Sequence, residues 1–266
     1  MYWTGSSANI FYIFNEFSMD GPLYRTNGKD RKQPGMITKD KIKEIAFASG
    51  ADLFGIASID RFEKAPDGFH PRDIYPKTET VLALAIQLPT EALFIDNPIP
   101  FTHVNTLAMQ KMDGITFDIS VKLDKLGLKN VLIPTDDPYL SWNEEKQEGR
   151  GILSLRHVGY LAGLGKLGRN NLLINKKYGN MIQIGALLTD QRFEPDPLAD
   201  YEVCPPNCRI CLDHCPQHAL TGETVIQKDC RPLSNYTTEK GFTIKKCFEC
   251  RKRCPRSLGF NNKSTQ

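Results

Sequence analysis

The first 203 of the 266 residues contain no cysteine. That gap excludes a secreted disulfide scaffold, whose cysteines spread through a small, core-poor chain. Long apolar runs are lacking too: no stretch reaches the roughly 18 residues needed to cross a bilayer. Charge of one sign is scarce, since 34 Lys and Arg against 31 Asp and Glu leave a net +3. Such a balance gives no general case for a nucleic-acid or membrane-surface partner. Gly (20) and Pro (17) stand near their average share, which excludes collagen-like and low-complexity classes. Near the amino terminus, the aromatic and apolar stretch 9–17 has no basic segment ahead of it and no small-residue cleavage site, and no twin-arginine pair precedes an apolar run. It is therefore not read as a signal peptide. The expectation is a cytoplasmic protein, without a membrane partner, whose reduced thiols are available as metal ligands.

What is present is enough apolar material, 40% of the chain, for one sizeable core in one or two domains. Residues 1–36 carry the turn signals Gly21-Pro22, Asn27-Gly28 and Pro34-Gly35 and read as an irregular arm. From Thr38, a capping residue, Ile42, Ile45 and Ala46 fall at helical spacing and Gly50 ends the helix. A buried strand follows at 53–59. The continuous apolar run at 81–86 has strand length and suits a strand covered on both faces. Ala108, Met112, Ile115, Ile119, Leu123 and Leu126 predict a long helix over about 105–127, then a short strand at 131–134. The last strand is expected at 181–188. Strands alternating with helices suggest a three-layer α/β domain over 37–198. After Pro195-Asp196-Pro197 the composition turns to cysteine, proline and basic residues, so a second domain is placed at 199–266.

All eight cysteines lie in that second region, as Cys204-x3-Cys208-x2-Cys211-x3-Cys215-Pro216, then Cys230, then Cys247-x2-Cys250-x3-Cys254-Pro255. Each half resembles the bacterial ferredoxin run, in which three cysteines hold one four-iron cluster and the fourth, followed by proline, reaches across to the other. Closely spaced thiolates on a tight loop can occupy three corners of a cube, and the chain must then leave before another sulfur supplies the fourth. The proline fixes φ where the chain leaves. On that resemblance Cys204, Cys208, Cys211 and Cys254 hold one [4Fe–4S] cluster, and Cys215, Cys230, Cys247 and Cys250 the other. The first gap is x3 rather than x2, and sixteen residues separate Cys230 from Cys247. Two four-cysteine zinc sites are the alternative for eight thiols. The segment 200–266 has 11 Lys plus Arg against 7 Asp plus Glu. These cations suit an acidic redox partner or a tRNA backbone, or else compensate anionic clusters.

Upstream, residues 162–174 (AGLGKLGRNNLLI), Tyr178-Gly179 and residues 184–190 (IGALLTD) resemble the signature of epoxyqueuosine reductases and of their relatives, the corrinoid-dependent reductive dehalogenases. Residues 52–56 (DLFGI), 71–76 (PRDIYP) and the strand at 81–86 extend the resemblance over roughly 38–258. Within it, Gly163-x-Gly165-x-x-Gly168 also matches the dinucleotide fingerprint formally. That motif needs a helix after it, whereas Leu172-Leu173-Ile174 reads as a strand, so the glycines are better read as tight turns between packed layers.

The resemblance implies a nitroreductase-like α/β domain followed by a small α+β two-cluster ferredoxin domain. It also implies cobalamin, to whose cobalt the clusters pass single electrons, bound without a protein histidine below. No Asp-x-His-x-x-Gly motif supplies such a histidine in this chain. Arg169, Leu173 and Ile184 match positions that line the corrinoid cavity, and Tyr236 matches the loop that covers it. A ferredoxin- or flavodoxin-type protein is the implied electron donor, with a small-molecule or tRNA nucleoside substrate. The family places its catalytic aspartate thirteen residues before the alanine of Ala-Gly-x-Gly, and from Ala162 that count lands on Gly149, which cannot donate a proton. Adjacent Glu148, and His157 and Tyr160 on the approach to the glycines, are the candidate donors. The chain ends soon after the cysteines, without the helical-repeat tail that many epoxyqueuosine reductases use on tRNA. Two readings follow: a reductase with its own substrate, or an electron-transfer or reductive-activation protein serving a corrinoid partner. The glycine at 149 favours the second, since a carrier needs no acid.

Overall fold

Thr38 starts helix α1 (Lys39–Ala48) by accepting the Lys41 N–H at 3.2 Å, and Gly50, at φ +101°, turns the chain out of it. The computed structural model describes residues 37–136, 141–143 and 148–261; the expected arm at 1–36 lies outside the described residues. Strand β1 (Leu53–Ser58), the short helix α2 (Pro71–Ile74) and strand β2 (Thr80–Gln87) follow. Helix α3 (Pro98–Lys125) crosses to β3 (Asn130–Ile133). It starts seven residues earlier than the apolar spacing predicts. Asn97 accepts the Ile99 N–H at 2.9 Å, and Pro98 and Pro100 sit in the first turn, where the missing N–H groups would have no intrahelical partner.

A small hairpin, β4 (Ser141–Asn143) with β5 (Glu148–Arg150), leads into helix α4 (Leu155–Leu161). A second hairpin, β6 (Lys166–Leu167) with β7 (Leu173–Ile174), precedes the last long strand, β8 (Ile182–Thr189).

The main sheet has the order β1-β2-β8-β3, and every neighbouring pair is antiparallel. Because β2 and β3 both oppose β8, they run parallel to each other, joined by α3, and β8 enters between them from later in the chain. Strand β2 is buried along its length except at Gln87. Its Leu82, Leu84 and Ile86 meet Ile42 and Ala46 of α1 and Met112, Ile119 and Leu123 of α3 on one face. Val81, Ala83 and Ala85 join Ala57, Ala186, Val158 and Leu164 on the other. The α4 side is floored largely by alanines, which lets the helix approach closely, and a large aliphatic side chain fully buried here contributes about 1.5–3 kcal/mol. The layers are therefore helix, sheet, and helix with hairpin, as the apolar run of β2 predicts.

Asp196 fastens the segment that leaves β8. Its carboxylate accepts the Ile56 N–H at 2.9 Å and pairs with Lys39 at 2.6 Å, while Arg61 donates to the Asp196 and Leu161 carbonyls. Residues 35–266 form one compact unit, in which the cysteine-bearing chain packs against α3 and the two hairpins. That chain carries α5 (Ile210–Asp213), α6 (Gln227–Ser234), the hairpin β9 (Tyr236–Thr237) with β10 (Thr243–Ile244), and α7 (Glu249–Lys252). Among the described residues no helix is long and apolar enough to cross a membrane.

Candidate metal centre

Residues 163–171 are the platform on which the cysteines sit. No helix follows Gly168, only the β6–β7 hairpin, so the nucleotide-fingerprint reading fails on its required context. The glycines instead permit close approach of backbone. A Cβ at Gly163 would lie 2.2 Å from the Pro197 carbonyl, and one at Gly165 would lie 2.4 Å from that of Ile174. Asn171, at φ +61°, makes the hairpin turn, and the turn touches the cysteines from both halves of the motif. The Arg169 N–H points at Cys204 Sγ at 3.4 Å, Arg169 Nη1 donates to the Cys208 carbonyl at 2.8 Å, and Asn170 Nδ2 donates to the Cys250 carbonyl at 3.1 Å.

The eight thiols gather as two crossed sets. Cys204, Cys208, Cys211 and Cys254 line one cavity together with Arg169, Asn170 and Arg256. The Cys254 thiol is pushed up to about 11, by burial first and then by Cys204, Cys211 and Cys208, against a lowering hydrogen bond from the Arg256 backbone. Burial likewise pushes Cys250 up to about 12, opposed by the Arg251 cation and reinforced by Cys230, Cys247 and Cys215. Cys211 is raised by burial and then by Cys204 and Cys208, and Cys247 by burial and also by Cys230 and Cys215. The thiols acting on any one of these cysteines thus all belong to its own set. Bare thiolates so crowded are unfavourable, and a bound cation would relieve them. Backbone amides are aimed at the sulfurs, as in Ala219 N–H to Cys215 Sγ at 3.3 Å. Arg251, whose pKa burial lowers, stands between the sets: its charge acts on Cys250 and Cys254, and its guanidinium donates to the Asn180 carbonyl. Arg256 stacks over Phe260 at 4.2 Å, and its buried Nε, on the wall of the first cavity, has no protein partner.

The other predicted residues separate. Arg169 belongs to the first cysteine set through the contacts above. Leu173 (3% exposed) and Ile184 (8%) are core side chains packed around Gly159, with Tyr160 half-buried beside them. Tyr236 lies in β9 with the Lys246 ammonium 4.3 Å from its ring centre, beside the second set. The backbone of Glu148 pairs with Asn143 in the β4–β5 hairpin, and its side chain lies outside the described residues. Gly149 donates its N–H to Gln227 Oε1 at 3.2 Å and accepts from Gln227 Nε2 at 3.0 Å. His157 shares a 2.7 Å hydrogen bond with Ser154 Oγ.

Partial burial, then the Arg156 charge, hold His157 below its ordinary 6.5. As pH falls below 6.5 the unfolded chain takes up the proton first, so this residue costs stability there. The imidazole should titrate below 6.5 by NMR, and His157→Asn should flatten the acid side of the denaturation midpoint against pH.

Three contributors escape a sequence reading: Asn170, Arg256 and Gln227. Arg251 belongs to the basic segment already read as compensating the clusters, and Arg256 directly follows the last Cys-Pro, a signal that was available. Asn170 and Gln227 act across about 80 residues, through contacts that only the fold creates.

No family model matches the chain. It is 25% identical to the epoxyqueuosine reductase of Staphylococcus aureus over 84% of this chain and 65% of that one. It is 26% identical to the tetrachloroethene reductive dehalogenase of Dehalobacter restrictus over 82% and 36%. The chain spans less than two thirds of the length of these curated relatives. Among solved structures it superposes on the epoxyqueuosine reductase of Streptococcus thermophilus with a TM-score of 0.59 at 23% identity, covering 84% of this chain and 67% of that one. A catabolic reductive dehalogenase gives 0.62 at 18%, covering 85% and 32%. The mixed α/β fold is shared with both groups, and the sequence is similar to those of epoxyqueuosine reductases and reductive dehalogenases.

Proposed function

We propose that this protein is an iron–sulfur oxidoreductase whose two [4Fe–4S] clusters, on the crossed cysteine sets, supply single low-potential electrons to a cobalamin held against the α/β domain. The observation that carries the reading is the crossed gathering of the eight thiols. Two four-cysteine zinc sites would use the same eight thiols but do not call for the repeated Cys-x2-Cys-x3-Cys-Pro run. A four-iron cube accepts sulfurs spread over its corners. The unpartnered Arg256 Nε and the amides aimed at Cys204 and Cys215 are donors suited to such an anionic centre.

In this reading the division of labour falls near residue 199. When bound, the corrinoid supplies the two-electron chemistry. The protein's own residues orient and screen: Arg169 fixes the hairpin turn to the first cysteine set, and Arg156, whose buried Nε lacks a partner, offers a donor on the α4 side. Leu173 and Ile184 shape that wall, and Tyr236 covers it from the cysteine side. Tyr160, His157 or Glu148 gives the proton, because position 149 has no acid. The substrate is a small molecule or a tRNA nucleoside; one structural neighbour was solved with an epoxyqueuosine-modified tRNA stem loop. The second reading, electron delivery to a corrinoid partner, is favoured by Gly149, whose backbone is fully engaged by Gln227.

Anaerobically isolated protein, freed of excess hydroxocobalamin by gel filtration, should retain about one corrinoid per chain and show cobalt(II) EPR after dithionite. Retention of none, with about eight irons present, would overturn the cobalamin enzyme and leave the delivery protein.

A further inference from the structure

The two cysteine sets differ in exposure. Cys211 and Cys254 of the first set are buried, whereas all four of the second are partly exposed. Cys247 also opens onto a surface groove, floored by Pro216, Leu233 and Phe248 and rimmed by Lys246 and Lys252. Phe248 is fixed by stacking on Phe101 of α3, with ring centres 4.3 Å apart, so the floor is preorganised. Ile95, 45% exposed, stands on the groove's wall next to Phe94, 37% exposed.

Each acid on the rim is already paired: Asp96 with Lys252 at 3.4 Å, and Glu249 with Arg253 at 2.9 Å. Lys246 is an exposed residue whose ammonium lies over the ring of Tyr236. An apolar floor beside a redox ligand, with Lys245, Lys246, Lys252 and Arg253 outnumbering the two acids, is suited to an acidic protein that must bring its own redox centre close.

We infer that this groove docks an acidic, low-potential electron-donor protein of the ferredoxin type; the inference rests on the iron–sulfur reading above. One electron leaves the donor's reduced centre and one enters the centre on Cys215, Cys230, Cys247 and Cys250, with no proton moved and no bond made. A polyanionic RNA would meet the same lysines but has neither an electron to give nor a use for the apolar floor.

The test uses Lys246→Glu and Lys246→Gln in the anaerobic, cluster-loaded protein, with a plant-type [2Fe–2S] ferredoxin as probe. Stopped-flow reduction by reduced ferredoxin is compared with reduction by the methyl viologen radical cation, and binding of oxidised ferredoxin is titrated at several salt concentrations. The ratio of ferredoxin rate to viologen rate should fall about tenfold for Lys246→Glu and less for Lys246→Gln, with weaker binding and a flatter salt dependence. An unchanged ratio and unchanged binding, in variants with wild-type iron content and EPR, overturn the docking site. So does loss of tRNA stem-loop binding with ferredoxin binding intact, which would make the face an RNA surface. Wild-type protein lacking iron and cluster EPR would instead defeat the underlying iron–sulfur reading.

Discussion

A C208A/C254A double variant, isolated anaerobically, is expected to keep one intact four-iron centre and about four irons, whereas C250A/C254A keeps no intact centre. Cys208 and Cys254 lie 46 residues apart but on one cavity, so removing both leaves the first set two ligands short and the second untouched. Cys250 and Cys254 are four residues apart, yet their thiols belong to different sets. Losing both takes one ligand from each centre. Iron content and the spin count after dithionite reduction decide between the schemes. If C250A/C254A retains the intact centre, each half of the motif closes on itself and the crossing is wrong. The effect should be large, because metal binding is folding energy, of order 10 kcal/mol for structural thiolate sites. Without metal, Cys250 and Cys254 are held near 12 and 11 and stay protonated at neutral pH. Iron must therefore displace those protons, and cluster assembly should weaken as pH falls.

The grouping of the thiols was suggested by resemblance of the cysteine spacing to the bacterial ferredoxin run, and Cys254 does line one cavity with Cys204, Cys208 and Cys211. The Thr38 cap, the covered strand β2 and the refusal of a nucleotide site at Gly163 were legible for local reasons. Strand order was not. Apolar periodicity shows which faces are covered, but it is silent on β8 entering between β2 and β3. The start of α3 was hidden because Pro98 and Pro100 read as breakers when no turn has been assigned around them. Arg169 drew a role from its place in the signature, while its contacts, to Cys204 and Cys208, depend on a hairpin turn whose neighbours lie 35 and 39 residues away. Leu173 and Ile184 look alike as core and as cavity wall, because both demand the same side chains.

Gly179→Ala should be the most damaging substitution outside the cysteines. Gly179 has φ +61°, and a Cβ there would stand 2.2 Å from the Ser257 carbonyl oxygen and 2.3 Å from that of Arg256. Neither oxygen sits on a flexible side chain that can swing away, and the Ser257 carbonyl already accepts the Asn180 N–H at 3.1 Å. The opposing segment repeats the arrangement: Gly259, at φ +97°, lies against the Lys177 carbonyl with 2.2 Å for a Cβ, while Phe260 N–H donates to the Lys176 carbonyl at 3.0 Å. Two bare backbones therefore interlock where the turn before β8 meets the chain just past Cys254. The left-handed conformation costs an L-residue about 1 kcal/mol, and forced overpacking adds about 1–3 kcal/mol, so a loss of about 3 kcal/mol is expected. For a chain of this size that lowers Tm by about 6–12 °C, and iron occupancy of the first set should fall with it, because Cys254 is carried on the displaced segment. Gly68→Ala supplies the control. Gly68 has φ +79° but nothing within 4 Å of the added methyl, so it bears only the conformational part. Equal losses in the two variants would mean that the interlock contributes nothing and that the cysteine segment is held by its side chains alone.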